Sequence, residues 1–81
     1  MLSEVREIKV GAAYRHFKGS CYIVIQIATH TETGERMVIY QDTKDKKKVW
    51  ARPYEMFNSL IDKEKYPQAE GKYRFEEIKE N

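Results

Sequence analysis

The run HTET, from His30 to Thr33, places an imidazole, a carboxylate and two hydroxyls in four consecutive positions. A histidine and a glutamate within reach of each other can act as general acid and base, or can orient a third charged group. Because alternate residues of an extended chain share a face, we predict that His30 and Glu32 contact one another. Glu32 would then orient the guanidinium of Arg52 or Arg74 toward a ligand. The alternative is structural, with these side chains only bonding the backbone of a turn.

A second candidate face contains Trp50 and Arg52, which alternate in the run KVWAR and therefore point to the same side of a strand. Indole and guanidinium groups together can stack on flat ligands and can bind anions or carboxylates. With Tyr14, Arg15 and Tyr40 nearby, this face could accept a base, a peptide backbone or a sugar. The alternative is that Trp50 belongs to the core and that Arg52 pairs with a nearby glutamate.

The remaining reactive side chains are the single cysteine, Cys21, and His16. A nucleophilic cysteine needs a histidine within hydrogen-bond reach. Cys21 and His30 have opposite parity on what is nearly one strand, so they point to opposite faces. Cys21 could meet His16 across a hairpin, but no third orienting group is evident, and we expect Cys21 to be a small buried hydrophobe. Two histidines and Glu32 lack the spacing of a zinc or iron site, so we predict no catalytic residue, no metal and no cofactor.

The chain length of 81 residues allows one small domain, and its 41% apolar content is sufficient for a compact core. The net charge of +2 is smaller than that of a dedicated electrostatic nucleic-acid binder. The lysine-rich run KDKKK at 44–48 either attracts phosphate weakly or is a solvated hairpin tip. One cysteine allows no internal disulfide, and no apolar run is long enough for a signal peptide or a membrane span. We therefore expect a cytoplasmic protein that does not contact a membrane.

Short apolar runs separated by turn residues predict a mainly β fold. We expect a lead-in at residues 1–10 and a single small β-barrel domain at 11–81. The predicted strands are 14–17, 21–29, 36–41, 48–52 and 73–78. Pro53 suits the first turn of a helix, which the apolar residues behind it extend to about residue 62. The predicted fold is a small SH3-like, partly open five-stranded antiparallel barrel with one short helix before the last strand. A flat antiparallel sheet with the helix across one face is the alternative.

The strand at 21–29 has an odd face that is apolar throughout and an even face that is mixed. The odd face consists of Cys21, Ile23, Ile25 and Ile27. We predict that this odd face is buried, because successive side chains of a strand point to opposite sides of the sheet. A two-residue turn near Gly34 would put Val38 and Tyr40 beside the buried face, whereas a three-residue turn would put Met37 and Ile39 there. The sequence leaves this register open.

Three stretches carry a resemblance to a known family, namely YRHFKG at 14–19, YIVIQIA running into HTETGERMVIY at 22–40, and VWARPYEMF at 49–57. They resemble the small bacterial family catalogued as domain of unknown function 1653, over about residues 11 to 78. The positions that match its motif are Tyr14, Arg15, His16, Lys18, Gly19, His30, Glu32, Met37, Val38, Tyr40, Trp50, Arg52, Pro53, Met56, Phe57, Arg74 and Phe75. The resemblance implies a small β-rich domain and brings no activity with it. Several matched positions are polar or basic, which a purely structural motif would not require.

Arginine, tyrosine, tryptophan and histidine side chains with a modest positive charge suit recognition better than bond breaking. We therefore predict a non-catalytic binding module for a nucleic acid, a nucleotide or another anionic ligand, with single-stranded RNA as the first partner to test. The alternatives are a protein- or peptide-interaction module and, less favoured, a small enzyme that uses His30 and Glu32 as acid and base. The predicted ligand-binding residues are His30, Glu32, Tyr40, Trp50, Arg52, Arg74, Tyr14, Arg15 and His16. The oligomeric state is left open.

Overall fold

Five antiparallel strands form one sheet in the computed structural model, which describes residues 6–79. The strands are β1 (Ala13–His16), β2 (Cys21–Thr29), β3 (Arg36–Asp42), β4 (Val49–Pro53) and β5 (Phe75–Glu77). Their order in the sheet is β4-β3-β2-β1-β5, so the Ile- and Val-rich β2 lies at the centre. The prediction of a mainly β, five-stranded antiparallel fold with one short helix before the last strand is confirmed.

The sheet is curved, although its edge strands β4 and β5 are not hydrogen-bonded to each other. On a flat sheet these two strands would be about 19 Å apart, at four spacings of ~4.8 Å. The guanidinium carbon of Arg52 on β4 nevertheless lies only 5.6 Å from the ring centroid of Phe75 on β5. Such a contact requires the sheet to bend its two edges toward each other. This open, curved sheet is consistent with the predicted SH3-like, partly open barrel and disfavours a flat sheet.

The face of β2 that packs on the core changes at a β-bulge. Val24 pairs with Tyr40 and Gln26 pairs with Ile39, which leaves Ile25 as an extra residue. Val24 is fully buried, whereas Ile25 is 41% exposed. The predicted burial of the odd face is therefore wrong for Ile25.

The rest of the odd face follows from the same bulge. Ile23 is 39% exposed and Cys21 is only partly buried, because even-numbered residues face the core before the bulge. Ile27 follows the bulge and packs against the core, so its prediction is confirmed. On the neighbouring strand, Val38 and Tyr40 are buried, as one of the two predicted alternatives expected. The predicted two-residue turn is wrong, because His30 bonds Glu35 across a longer turn, and Tyr40 lies opposite Val24 instead of the odd face.

The core is mainly aromatic. The fully or nearly buried residues that pack together are Ile8, Tyr14, Val24, Val38, Tyr40, Tyr54, Phe57 and Phe75. The rings of Phe57 and Phe75 are stacked with their centroids 4.0 Å apart. Each buried tyrosine hydroxyl accepts a hydrogen bond: Tyr54 from the backbone N–H of Ile8 at 2.8 Å, Tyr14 from that of Lys9 at 3.0 Å, and Tyr40 from Arg52 Nε at 3.1 Å. Residues just before the sheet are thereby held against the core.

The helix is shorter than predicted. It is a single turn, α1 (Tyr54–Phe57), which begins directly after Pro53 and ends at Asn58. Leu60 instead forms an isolated β-bridge with Tyr73 and is exposed, so the predicted extension of the helix to residue 62 is wrong. The backbone N–H of Arg74 bonds the carbonyl of Ser59, which fastens the segment between α1 and β5. Among residues 6–79, no helix has the length and apolar character needed to cross a membrane.

Candidate anion-binding site

His16 ends β1, where it pairs with Phe75 of β5. Its ring lies edge-on against Phe75, at a centroid distance of 4.9 Å, and is stacked on Phe17 at 4.6 Å. The His16 Nδ1 atom accepts a hydrogen bond from the backbone N–H of Lys18 at 3.1 Å. In the neutral imidazole this bond leaves the proton on Nε2. His16 therefore has a fixed ring orientation and one free donor.

Arg52 reaches the same region from β4, on the opposite edge of the sheet. It pairs with Val38 and shares its core-facing side. Its Nε donates a hydrogen bond to the Tyr40 hydroxyl at 3.1 Å. The two Nη groups have no hydrogen-bond partner within residues 6–79 and are not buried. Arg52 is thus held at its Nε while its terminal donors remain available.

Arg74 is the third converging residue and lies immediately before β5. Its Nε donates to the hydroxyl of Ser59 at 3.2 Å, while its backbone N–H bonds the Ser59 carbonyl at 2.8 Å. The loop after α1 is therefore what positions this guanidinium. Like Arg52, Arg74 is only partly buried.

The loop after α1 also brings Lys65 and Tyr66 to this place. The Tyr66 ring packs edge-on against Phe17, and the ammonium of Lys18 lies 4.9 Å above the Tyr66 ring. Asp62 supplies the carboxylate of this loop, but its Oδ1 accepts hydrogen bonds from the backbone N–H groups of Glu64 and Lys65. That carboxylate is therefore engaged in its own turn.

These side chains line one depression, here called the basic cleft. Its lining residues are His16, Phe17, Lys18, Arg52, Ile61, Asp62, Lys65, Tyr66 and Arg74, around a volume of about 300 Å³. Four cationic side chains thus face one carboxylate. The ion pairs within residues 6–79 are Arg6 with Glu76 and Lys9 with Glu77, so no cation of the basic cleft is neutralised there.

Burial and the charges of the basic cleft shift two pKa values. Burial lowers the pKa of His16 below its ordinary 6.5, and the positive charges of Arg52, Arg74 and Lys18 lower it further. The pKa of the Tyr66 hydroxyl is lowered as well, first by the side-chain hydrogen bond from Lys18. Both shifts have the sign that a surplus of positive charge produces. At neutral pH His16 is uncharged and offers Nε2–H to a ligand.

The HTET run lies elsewhere, at the tip of the β2–β3 hairpin. Its strand β2 has 9 residues, which at ~3.3 Å per residue put the tip more than about 25 Å along the strand from the β1–β2 turn. His30 Nδ1 accepts hydrogen bonds from the backbone N–H groups of Glu32 and Thr33, at 3.1 and 3.3 Å. Gly34 closes the loop with a φ of +77°, which favours glycine. His30 thus caps the turn.

The structure does not contain the predicted link from Glu32 to an arginine. Neither ion pair within residues 6–79 involves Glu32, which is exposed. Both guanidinium groups are instead held elsewhere, because Arg52 Nε bonds the Tyr40 hydroxyl and Arg74 Nε bonds the Ser59 hydroxyl. A ligand contact by His30 or Glu32 stays a prediction.

The other predicted residues fall into three places. Tyr14 and Tyr40 are buried in the core, where Tyr40 serves the cleft indirectly by holding Arg52. Arg15 is exposed on the opposite face of the sheet, paired with Cys21 and Glu76. Trp50 is 46% exposed and lies two residues from Arg52 on the same side of β4.

His16, Arg52 and Arg74 are therefore the predicted residues that the fold brings together. Sequence reasoning missed Lys18, Lys65 and Tyr66 as cleft residues. Lys18 could have been found, since it follows His16 at the turn after β1. Lys65 and Tyr66 lie in a polar stretch without periodicity, so nothing in the pattern indicated which way that loop folds back.

Metal-ligating side chains do not cluster in the part of the chain that the structure describes. Residues 6–79 contain no group of three or more His, Cys, Asp or Glu side chains that could hold a metal ion. The Cys21 sulfur lies 4.0 Å from the Gly19 carbonyl oxygen, in a partly exposed position. The candidate site that the predicted residues form is therefore the basic cleft, which is lined by cationic and aromatic side chains.

The fold and the cleft define a small domain made of one open β-sheet with a basic, aromatic-lined cleft. The family model described as "Protein of unknown function (DUF1653)" matches residues 12–77. The chain belongs to this family, which confirms the resemblance that the motifs carried. Neither the curated proteins nor the solved structures include a match to the chain.

Proposed function

We propose that this protein is a non-catalytic binding module that takes a phosphate-bearing ligand, a nucleic acid or a nucleotide, in the basic cleft. One observation carries the proposal: cations from three separate parts of the chain converge without a neutralising ion pair within residues 6–79. Like charges held together repel each other, so an arrangement of this kind favours an anion in the gap. The predicted cytoplasmic setting is part of the same proposal.

Phosphate fits the donor set better than a smaller anion would. Arginine presents N–H donors in a planar fork that suits two oxygens at once. Arg52 and Arg74 each use Nε internally, on Tyr40 and Ser59 respectively, which orients the fork and leaves the terminal nitrogens for a ligand. His16 Nε2–H adds a neutral donor, and the Lys18 ammonium, which lies over the Tyr66 ring, adds a further positive charge.

The test is a titration of the protein with inorganic phosphate and with a mononucleotide at low salt, followed by NMR shifts of the cleft residues. We expect both anions to shift the signals of His16 and Arg74. Arg52→Gln and Arg74→Gln should each weaken binding about tenfold or more, since a charge-assisted hydrogen bond contributes roughly 1.5–3 kcal/mol.

The matched control is Arg15→Gln, which removes the same charge from the opposite, exposed face of the sheet. It should change the affinity by less than about twofold. Equal losses for Arg15→Gln and Arg52→Gln would show that binding follows net charge alone and would refute a built site. Binding of peptide carboxylates but not of phosphate would instead support the protein-interaction alternative.

A further inference from the structure

Three side chains of different chemistry alternate along the core-facing side of β4, beginning just before the strand. Trp50 pairs with Tyr40 and Arg52 pairs with Val38, both of which are buried on the core side. The backbone N–H of Asp42 bonds the carbonyl of Lys48 at 3.0 Å, which continues the same ladder by one more pair. Directly opposite residues share a face, so Lys48, Trp50 and Arg52 form one row, here called the β4 row.

The indole of Trp50 is exposed for a structural reason. β4 is an edge strand, so no further strand within residues 6–79 covers that side. The ring of Tyr40, its partner on β3, contacts Tyr22, Phe57 and Phe75. The core beside Trp50 is therefore already filled by aromatic rings, and the largest apolar side chain of the protein remains 46% accessible. An accessible indole beside a basic cleft is an available stacking surface.

The lysine-rich tip at 44–48, which leads into the β4 row, has no neutralising ion pair within residues 6–79. The carboxylates of Asp45 in the tip and of Asp42 at the end of β3 accept hydrogen bonds from backbone N–H groups: Asp42 from those of Lys44 and Asp45, and Asp45 from that of Lys47. Neither of the ion pairs within residues 6–79 involves a lysine of this tip. Positive charge therefore lies at both ends of the β4 row, with the indole between them.

We propose that the ligand of the basic cleft is a single-stranded nucleic acid that lies along β4, with one base stacked on Trp50. This inference rests on the proposed function. One phosphate would occupy the basic cleft at Arg52 and another would lie near Lys48. The row from Lys48 to Arg52 spans four residue steps, about 13 Å. A phosphate group alone does not reach from one end of this row to the other.

The alternation of charge and aromatic ring favours a single strand over a duplex. Single-strand binders combine a basic groove that follows the backbone with aromatic side chains on which bases stack. A duplex keeps its base faces covered by neighbouring pairs, so Trp50 would gain nothing from it. Stacking is also tolerant of base identity, so the binding should be only weakly selective for sequence.

The test uses the fluorescence of Trp50, which is the only tryptophan in the chain. The protein is titrated with oligo(dT) and oligo(rU) of one to six nucleotides, with a duplex of equal length, and with inorganic phosphate. Trp50 emission should be quenched by both single strands, and affinity should rise until the β4 row is covered and then level off. The duplex should bind more weakly than either single strand. A higher affinity for oligo(rU) would identify RNA as the partner, and a higher affinity for oligo(dT) would identify DNA.

Variants separate the β4 row from the cleft. Trp50→Leu should weaken oligonucleotide binding roughly 5- to 150-fold, the range expected for one stacked base, and leave phosphate binding within twofold. Trp50→Phe should retain part of the affinity because it keeps an aromatic ring. Lys48→Gln should lower the slope of log K against log salt by about 0.7, the value for one phosphate of a single strand. Arg15→Gln, on the opposite face, should leave that slope unchanged.

The failures of the two proposals are distinguishable. Phosphate or mononucleotide binding with unchanged Trp50 emission, and no gain with length, would overturn the single-strand inference while the proposed function stands. Absence of binding by every phosphate compound would overturn both. Oligonucleotide binding that is as strong in Trp50→Leu as in the native protein would also overturn the inference.

Discussion

The bulge in β2 predicts that truncating Val24 lowers the free energy of unfolding more than truncating the adjacent Ile25 does. Val24→Ala removes two methyl groups from a fully buried side chain. Each is worth about 0.8 kcal/mol in transfer free energy, and the cavity left behind adds roughly another 1 kcal/mol. We therefore expect Val24→Ala to lower the free energy of unfolding by about 2–3 kcal/mol.

Ile25→Ala removes more atoms and should nevertheless cost less. Ile25 is 41% exposed, so the lost burial is worth at most about 1.4 kcal/mol, and solvent fills the space. Urea unfolding followed by far-UV circular dichroism measures both values. With a slope near 1 kcal/mol/M, which is typical of so small a chain, the two midpoints should differ by about 1 M. A larger loss for Ile25→Ala than for Val24→Ala would refute the bulge assignment.

Three further predictions concern the site and the hairpin tip. The pKa of His16 is lowered in the folded state, so the unfolded chain takes up a proton first as the pH falls. The free energy of unfolding should therefore decrease below about pH 6.5. Urea midpoints measured against pH should show this decrease, and His16→Asn should flatten it. In the same pH window a bound anion favours protonated His16, so the affinity for a phosphodiester, whose charge does not change there, should increase as the pH falls. An affinity independent of pH would contradict the placement of His16 beside the ligand. Elemental analysis of protein purified without chelator should find no stoichiometric zinc or iron; about one ion per chain would refute this. Glu32→Gln should change the free energy of unfolding by less than about 0.5 kcal/mol. His30→Ala should lower it by about 1 kcal/mol, because it removes the acceptor of two backbone N–H groups. Equal losses would show that Glu32 has a structural partner.

The parts of the fold that depend on local pattern could be predicted from the sequence. The strands and their turns are marked by β-branched runs, Gly34 and Pro53, and the shared side of Trp50 and Arg52 follows from strand alternation. The bulge could not be predicted, because Ile25 differs in nothing from its neighbouring isoleucines. The bulge is visible only in the pairing of Val24 with Tyr40 and of Gln26 with Ile39, which joins residues distant in the sequence.

The site was predictable only in its components. His16, Arg52 and Arg74 each stood out as polar or basic residues of a motif. Their convergence depends on the curvature of the whole sheet and on the path of the loop after α1, which no local signal encodes. His30 and Glu32 stood out just as clearly, and the hairpin carries them to the far end of β2. Residue type therefore identified candidates, whereas topology decided which of them meet.

The strand order has a consequence for the kinetics of folding. β1 to β4 pair through three successive hairpins, whereas β5 pairs with β1 although most of the chain separates the two strands in sequence. Closing a long loop costs more entropy than closing a short one, so we expect the hairpins to form first and β5 to dock last. Arg74 arrives with β5, while His16 and Arg52 are already placed by the earlier hairpins. A ligand that joins Arg74 to Arg52 should therefore slow the detachment of β5 and lengthen the lifetime of the native state, with little effect on the rate of folding.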